Sequence, residues 1–327
     1  MAHTRRTIAC FGEALIDFRA EPATAGQARR FVEQPGGAPA NVAVGIAALG
    51  GAARFVGMLA QDMFGDTLAA ALQRHGVDTS QVRRTDAAPT ALAFVSLADD
   101  GERSFSFYRP PAADLLFTER DFADDAFADV TVLHACSNSL TEPAIAQATL
   151  HGMARAAREG ALVSFDLNWR PALWPAGNDP TPTLWRALTH AHLVKLSAEE
   201  LTFLAGDSDP AAAVARILET ADVLVVTDGA APIRWWTRTS AGTAPTFAVC
   251  AVDTTAAGDA FVAGLLWRLS DRAVDARALG AAFDTPALRA DLLAHAAAAG
   301  ALATTRHGAF DAMPARDAVD RLLETAQ

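Results

Sequence analysis

Short runs rich in Val, Ile, Leu and Phe alternate along the chain with longer Ala/Leu-rich stretches whose apolar positions recur every three or four residues. The first kind predicts buried strands at 8–11, 54–57, 130–135, 161–166, 192–196 and 222–227. The second predicts helices at 39–49, 62–75, 142–159, 210–220, 256–269 and 288–304, with Pro39 suited to the opening turn of the first. Strands that alternate with covering helices pack as a parallel sheet. The pattern therefore predicts an α/β fold, a doubly wound and mainly parallel sheet flanked by helices.

Two segments break this rhythm. Residues 91–108, ALAFVSLADDGERSFSFY, read as two alternating apolar/polar strands around an Asp-Asp-Gly-Glu turn, a β-hairpin. With the polar stretch 19–34 they predict a small antiparallel sheet projecting from the main one as a lid, its segments at about 14–35 and 88–112. IRWW at 233–236 reads as a further strand with Trp235 and Trp236 on opposite faces. No fixed-period repeat, low-complexity tract or long polar linker divides the chain, so one domain spanning 1–327 is expected.

A hydrophobic content of 51% supports a large core, and a net charge of -11 without a dense basic segment excludes a nucleic-acid surface. There is no run of apolar residues long enough to span a membrane and no signal-peptide core, which predicts a cytoplasmic protein with no membrane partner. Cys10, Cys136 and Cys250 are odd in number, far apart and each set in an apolar run, the pattern of reduced core thiols. His190 and His192 lack the acidic or Cys partners a zinc site needs.

The most informative stretch is VDTTAAGDAF at 252–261, which follows a β-rich run at 246–252 and opens an apolar helical pattern. A strand, a turn of small residues and a helix start are the parts of an anion site. Main-chain N–H groups at the helix mouth, unobstructed at Ala256, Ala257 and Gly258, can converge on phosphate oxygens. Asp259, in the first turn, could accept a proton from a hydroxyl attacking that phosphate. Spacing alone leaves a plain capped helix start equally open, with Asp253 or Thr254 near the N-cap. Gly36 and Gly37 likewise let the backbone pass close to a ligand that Asn41 would face, or simply turn the chain into a core helix. Asp17 is either a solvated carboxylate or an acceptor for two adjacent hydroxyls.

Taken together the motifs decide. DTTAAGDAF resembles the C-terminal signature of the ribokinase-like PfkB carbohydrate kinases, and GGAPANVAVGIAALGG resembles their N-terminal signature. They stand in the expected order, and the resemblance covers nearly the whole chain. It implies ATP as phosphoryl donor, Asp259 as catalytic base and the amides of 256–258 as the anion hole. It also implies that Gly36, Gly37 and Asn41 contact the sugar. FGEALIDF resembles the family's first strand, which gives Asp17 a pair of substrate hydroxyls. Ala256 departs from the glycine usual at its position.

FSFYRPPAADLLF and DLNWRPALW resemble the fructokinase and 2-keto-3-deoxygluconate kinase branch, implying Arg109, Asn168 and Arg170 as pocket residues. Arginine serves a keto oxygen, a hydroxyl or a carboxylate, so a keto acid or a nucleoside such as aminoimidazole riboside stays open. GEALIDF, GGAPANVAV and FYR followed by AAD favour D-fructose, phosphorylated to fructose 6-phosphate as by bacterial fructokinases.

VKLSAEEL at 194–201 corresponds to the family's N-x-x-E segment, with Ser197 in place of the asparagine. Glu200 keeps the acid and would handle Mg2+ through water, although Glu199 and Glu200 equally fit the acidic first turn of a helix capped by Ser197. Lys195, Thr227, Gly229 and Gly258 fall at nucleotide positions; VVTDGAAP carries Pro232 where the family has a last glycine. AAAAGALATTRHGAF resembles the region that often holds a monovalent cation, which makes Asp253 and Thr255 candidates for K+. A homodimer is expected. A non-catalytic sugar-binding regulator, the alternative from another class, is disfavoured by the intact Asp259. No G-x-G-x-x-G follows the first strand and no G-x-x-x-x-G-K-[ST] occurs, which disfavours Rossmann oxidoreductases and excludes P-loop NTPases.

Overall fold

The structure is a computed structural model that describes residues 6–21, 28–97 and 103–325. In chain order its strands are β1 (Thr7–Phe11), β2 (Leu15–Ala20), β3 (Phe31–Gly36), β4 (Ala52–Ala60), β5 (Asp78–Thr85), β6 (Leu92–Leu97), β7 (Arg103–Tyr108), β8 (Val130–Cys136), β9 (Leu162–Asp166), β10 (Leu193–Ser197), β11 (Val223–Asp228), β12 (Ala231–Thr237) and β13 (Ala241–Ala244). The helices are α1 (Ala38–Ala48), α2 (Met63–Arg74), α3 (Pro143–Arg158), α4 (Thr181–Leu188), α5 (Ala198–Ala205), α6 (Pro210–Leu218), α7 (Ala257–Asp271), α8 (Leu279–Asp284), α9 (Pro286–Ala303) and α10 (Arg316–Thr325).

Nine strands form the main sheet in the order β13-β12-β11-β10-β9-β8-β1-β4-β5. It is parallel from β5 to β11, with β12 and β13 added antiparallel at one edge. Successive strand residues point to opposite faces, and the two faces are covered by different helices. Ala9, Phe11, Leu133, Phe165 and Leu196 pack with residues of α3 to α6, while Ile8, Cys10, Phe55, Val132 and Leu193 pack with α1, α2, α7 and α9. The chain runs from β1 outward to β4 and β5, then returns to place β8 on the other side of β1. Strand order therefore reverses between β1 and β8, and at such a reversal a crevice opens beyond the strands' carboxyl ends.

Apart from one strand, the expected strands and helices are present, with ends shifted by a residue or two in most cases. The run 246–252 is not a strand. The strand lies earlier, at Ala241–Ala244, and the chain then crosses irregularly to α9, where the Val252 and Asp253 amides both donate to the Thr304 carbonyl. β5 was hidden by its polar sequence DTSQVRRT, which suits an edge strand paired on one side only. Cys250 is exposed in that irregular stretch, so only Cys10 and Cys136 are core thiols.

The second sheet, ordered β3-β2-β6-β7, is the expected lid, with one correction. It is mixed: β2 pairs antiparallel with β3 but parallel with β6, because the chain leaves for the main sheet between them. The hairpin's Asp-Asp-Gly-Glu turn lies outside the described residues. Among the described residues no helix is long and apolar enough to cross a membrane.

Candidate active site

Two helix mouths face each other over the crevice. α1 begins after Gly37, whose φ of 106° is open to glycine and costly for other residues. A Cβ there would lie 2.6 Å from the Glu13 carbonyl oxygen. α7 begins after Ala256, at φ 58° and ψ 11°, a left-handed conformation that a residue with a Cβ adopts at a cost. Neither helix has a side-chain cap. The decisive contact joins them: Asn41 Nδ2 donates to Asp259 Oδ2 at 2.7 Å, across 218 residues of sequence.

Asp259 is buried in the first turn of α7. Burial raises its pKa, opposed by the Asn41 hydrogen bond and by the charges of Arg170 and Lys195. Asp17, at the centre of β2, closes the same space. Its carboxylate packs over Gly36, where a Cβ would meet Oδ2 at 2.5 Å. Burial and the nearby charges of Asp259 and Asp253 push its pKa up to about 7. Asp17, Gly36, Gly37, Asn41 and Asp259 thus converge on one crevice.

The far wall comes from the carboxyl ends of β9 and β10. After β9 the chain turns sharply at Asn168, φ 39°, with its N–H bonded to Asp166 Oδ1 at 3.2 Å. Lys195 Nζ lies 3.1 Å from Asp166 Oδ2, and a Cβ on Gly258 would approach Nζ to 3.2 Å, so the ammonium sits beside the α7 mouth. Burial lowers the Lys195 pKa, but Asp166, Glu200 and Asp259 outweigh it and keep the ammonium charged.

Two expected site residues are already engaged within the chain. Arg109 is 1% exposed, and its Nε and Nη2 both donate to Asp114 Oδ2, at 2.9 and 2.6 Å. As placed, its guanidinium offers almost no surface to a ligand. Glu200 is 6% exposed with both oxygens taken by main-chain donors: Ser197 N at 2.7 Å and Trp169 N at 2.8 Å. The carboxylate is thereby committed to main-chain donors, with one remaining lone pair on each oxygen for a water.

Glu13 was missed. It lies just past β1, fully buried, where its Oε1 accepts from Ala38 N at 3.2 Å and Asn138 Nδ2 at 2.9 Å. Burial raises its pKa against the opposing charge of Arg109. The only signal was an acidic residue inside the apolar run FGEALIDF. A cavity of about 890 Å³ between α3 and α4, lined in part by Glu142, His151, Trp174 and Arg186, contains none of the converging groups.

The pfkB family carbohydrate kinase model matches residues 5–316. The chain belongs to the pfkB family of carbohydrate kinases. A fructokinase of Xylella fastidiosa solved with bound ATP is 52% identical, covers 98% of each chain and superposes with a TM-score of 0.94. A double mutant of a Vibrio cholerae O395 fructokinase, solved with fructose, ADP and a potassium ion, is 33% identical over 97% of this chain and 98% of that one, with a TM-score of 0.84. Fructokinase-1 of Zea mays is 41% identical over the whole of both chains.

Farther along the main sheet, half-buried Thr227 follows the buried part of β11 and Gly229, φ 53°, makes the turn into β12. Pro232, the second residue of β12, is exposed. Asp253 is a buried carboxylate between the loop before α7 and the loop after α9. Its Oδ1 accepts from Thr255 N at 2.8 Å, and its Oδ2 lies 3.4 Å from both Gly308 N and His307 Nδ1.

Proposed function

We propose that this kinase transfers the γ-phosphoryl group of ATP to D-fructose, giving fructose 6-phosphate and ADP. The Asn41–Asp259 contact carries the reading: it joins the turn here read as the sugar side to the carboxylate here read as the base. Asp17 would accept from two fructose hydroxyls, with Gly36, Gly37 and Asn41 shaping the near wall and Asn168 and Arg170 the far wall. The attacking hydroxyl bonds to the γ-phosphorus, the bridging bond to ADP breaks, and the hydroxyl proton passes to Asp259. Amides at 256–258 and the Lys195 ammonium would hold the charge on the moving phosphoryl. Thr227 and Gly229 would line the nucleotide side.

Magnesium in this reading arrives on the ATP phosphates, where it would neutralise charge, and no carboxylate of the chain is assigned to it. A potassium ion suits the Asp253 and Thr255 loops, whose buried carboxylate it would balance. The lid's outer aromatics, Phe31, Phe94 and the 66% exposed Tyr108, are proposed to pair with those of a second copy in a homodimer, which sedimentation of a Tyr108→Glu variant would test.

The test is ADP release from MgATP against fructose, 2-keto-3-deoxygluconate, ribose and aminoimidazole riboside, with the phosphorylated carbon read by NMR. Fructose should exceed the others in kcat/KM by about a hundredfold or more. Preference for the keto acid would move the assignment to its kinase, and ADP release indifferent to sugar would end it.

A further inference from the structure

We propose that Glu200 is a positioning residue for the acceptor sugar: it fixes the loop that carries Asn168 and Arg170 by holding the peptide between them. This rests on the reading of Asn168 and Arg170 as sugar contacts. The Trp169 amide donates to Glu200 Oε1 at 2.8 Å, and the Trp169 ring stacks on Phe203 of α5, centroids 3.7 Å apart and 10° from parallel. Glu200 Oε2 accepts from Ser197 N at 2.7 Å while Ser197 Oγ accepts from Glu200 N at 3.1 Å, which locks the carboxylate to the start of α5.

Loop 167–169 is therefore tied to β10 and α5 at successive points. Leu167 N donates to the Lys195 carbonyl at 3.1 Å, Asp166 holds both Asn168 N and Lys195 Nζ, and Glu200 holds Trp169 N. Arg170, the next residue, acts electrostatically on Asp259. A shift of this loop would move an acceptor-side arginine and a charge that tunes the base. Only a carboxylate serves both N–H groups at once; a glutamine has one acceptor oxygen and would turn its NH2 group toward the other donor.

The experiment measures fructose binding by calorimetry without nucleotide or metal, with the Mg2+ requirement measured separately in the coupled assay. Glu200→Gln should weaken fructose binding about tenfold and leave the Mg2+ half-saturation within about twofold. Phe203→Leu, which removes the stack but spares the carboxylate, should weaken fructose about threefold. Ser197→Ala, which removes the Oγ–Glu200 N bond but keeps both main-chain donors to the carboxylate, should change it by less than about twofold. Unaltered fructose affinity in folded Glu200→Gln or Phe203→Leu, or an equal loss in Ser197→Ala, overturns the inference. A raised Mg2+ requirement with normal fructose binding returns Glu200 to the metal. Arg170→Ala separates the two levels: if it leaves fructose binding intact, the sugar-pocket reading fails; if it weakens binding while Glu200→Gln does not, only the positioning role fails.

Discussion

The mouths of α1 and α7 are built alike and used differently. Each follows a residue at positive φ, each lacks a side-chain cap, and each sends one first-turn side chain into the shared crevice. At α1 an N–H is already engaged, since Ala38 N donates to the buried Glu13 carboxylate. That helix presents a neutral amide, Asn41. At α7 a cation, Lys195, stands beside Gly258. An internal acceptor fixes a wall, whereas a cation beside a helix mouth makes a place for an anion. The difference lies in second neighbours rather than in the helices themselves.

The largest effect should come from the charged member of the Asn41–Asp259 pair. Asp259→Asn keeps the shape and removes the base, so kcat should fall by about a thousandfold or more while fructose affinity and melting temperature hold. Near-normal turnover would make the two mouths equivalent spectators. Next comes the α1 entry. Gly37→Ala forces a Cβ into a φ of 106° and within 2.6 Å of the Glu13 carbonyl oxygen. It should cost about 2 kcal/mol or more of stability in denaturant unfolding, with fructose binding lost in proportion.

Acidity bears on the crevice the two mouths share. With a pKa near 7, Asp17 is largely protonated at pH 6 and largely ionised at pH 8. If the ionised form accepts the sugar hydroxyls, fructose Kd should fall by about tenfold between those values, and Asp17→Asn should flatten the profile. Stability of the free protein should run the other way. From the ordinary carboxylate value up to about 7 the folded chain keeps a proton that the unfolded chain has released, so stability drops as pH rises through that window. A flat Kd for the native chain would remove Asp17 from the sugar.

Much of this was readable in the sequence, for identifiable reasons. Strands buried on both faces and helices with apolar stripes leave periodic signals, so β1, β4, β8 to β11 and the long helices were legible. β5 was not, because an edge strand has little apolar burial to advertise. The 246–252 run misled because its apolar residues serve a crossing whose amides are satisfied by α9. In the site, residues on local motifs, such as Asn41 and Asp259, were found. Glu13 and the true partners of Glu200 and Arg109 were not, because their meaning depends on donors brought from elsewhere: Asn138, Trp169 and Asp114.

The smallest expected effect tests whether the α7 entry is merely strained. Ala256 holds a left-handed conformation with a methyl group, where glycine would sit without penalty. Gly pays more backbone entropy on folding, which offsets part of the relief, so Ala256→Gly should stabilise the protein by about 1 kcal/mol at most. Turnover should stay within about twofold, since the amides of 257 and 258 keep their places. If instead kcat falls severalfold while stability rises, the methyl is what stiffens the turn. The strain at α7 would then be part of how it receives the phosphoryl, and the glycine at α1 would mark the mouth that needs no such stiffness because Glu13 already supplies it.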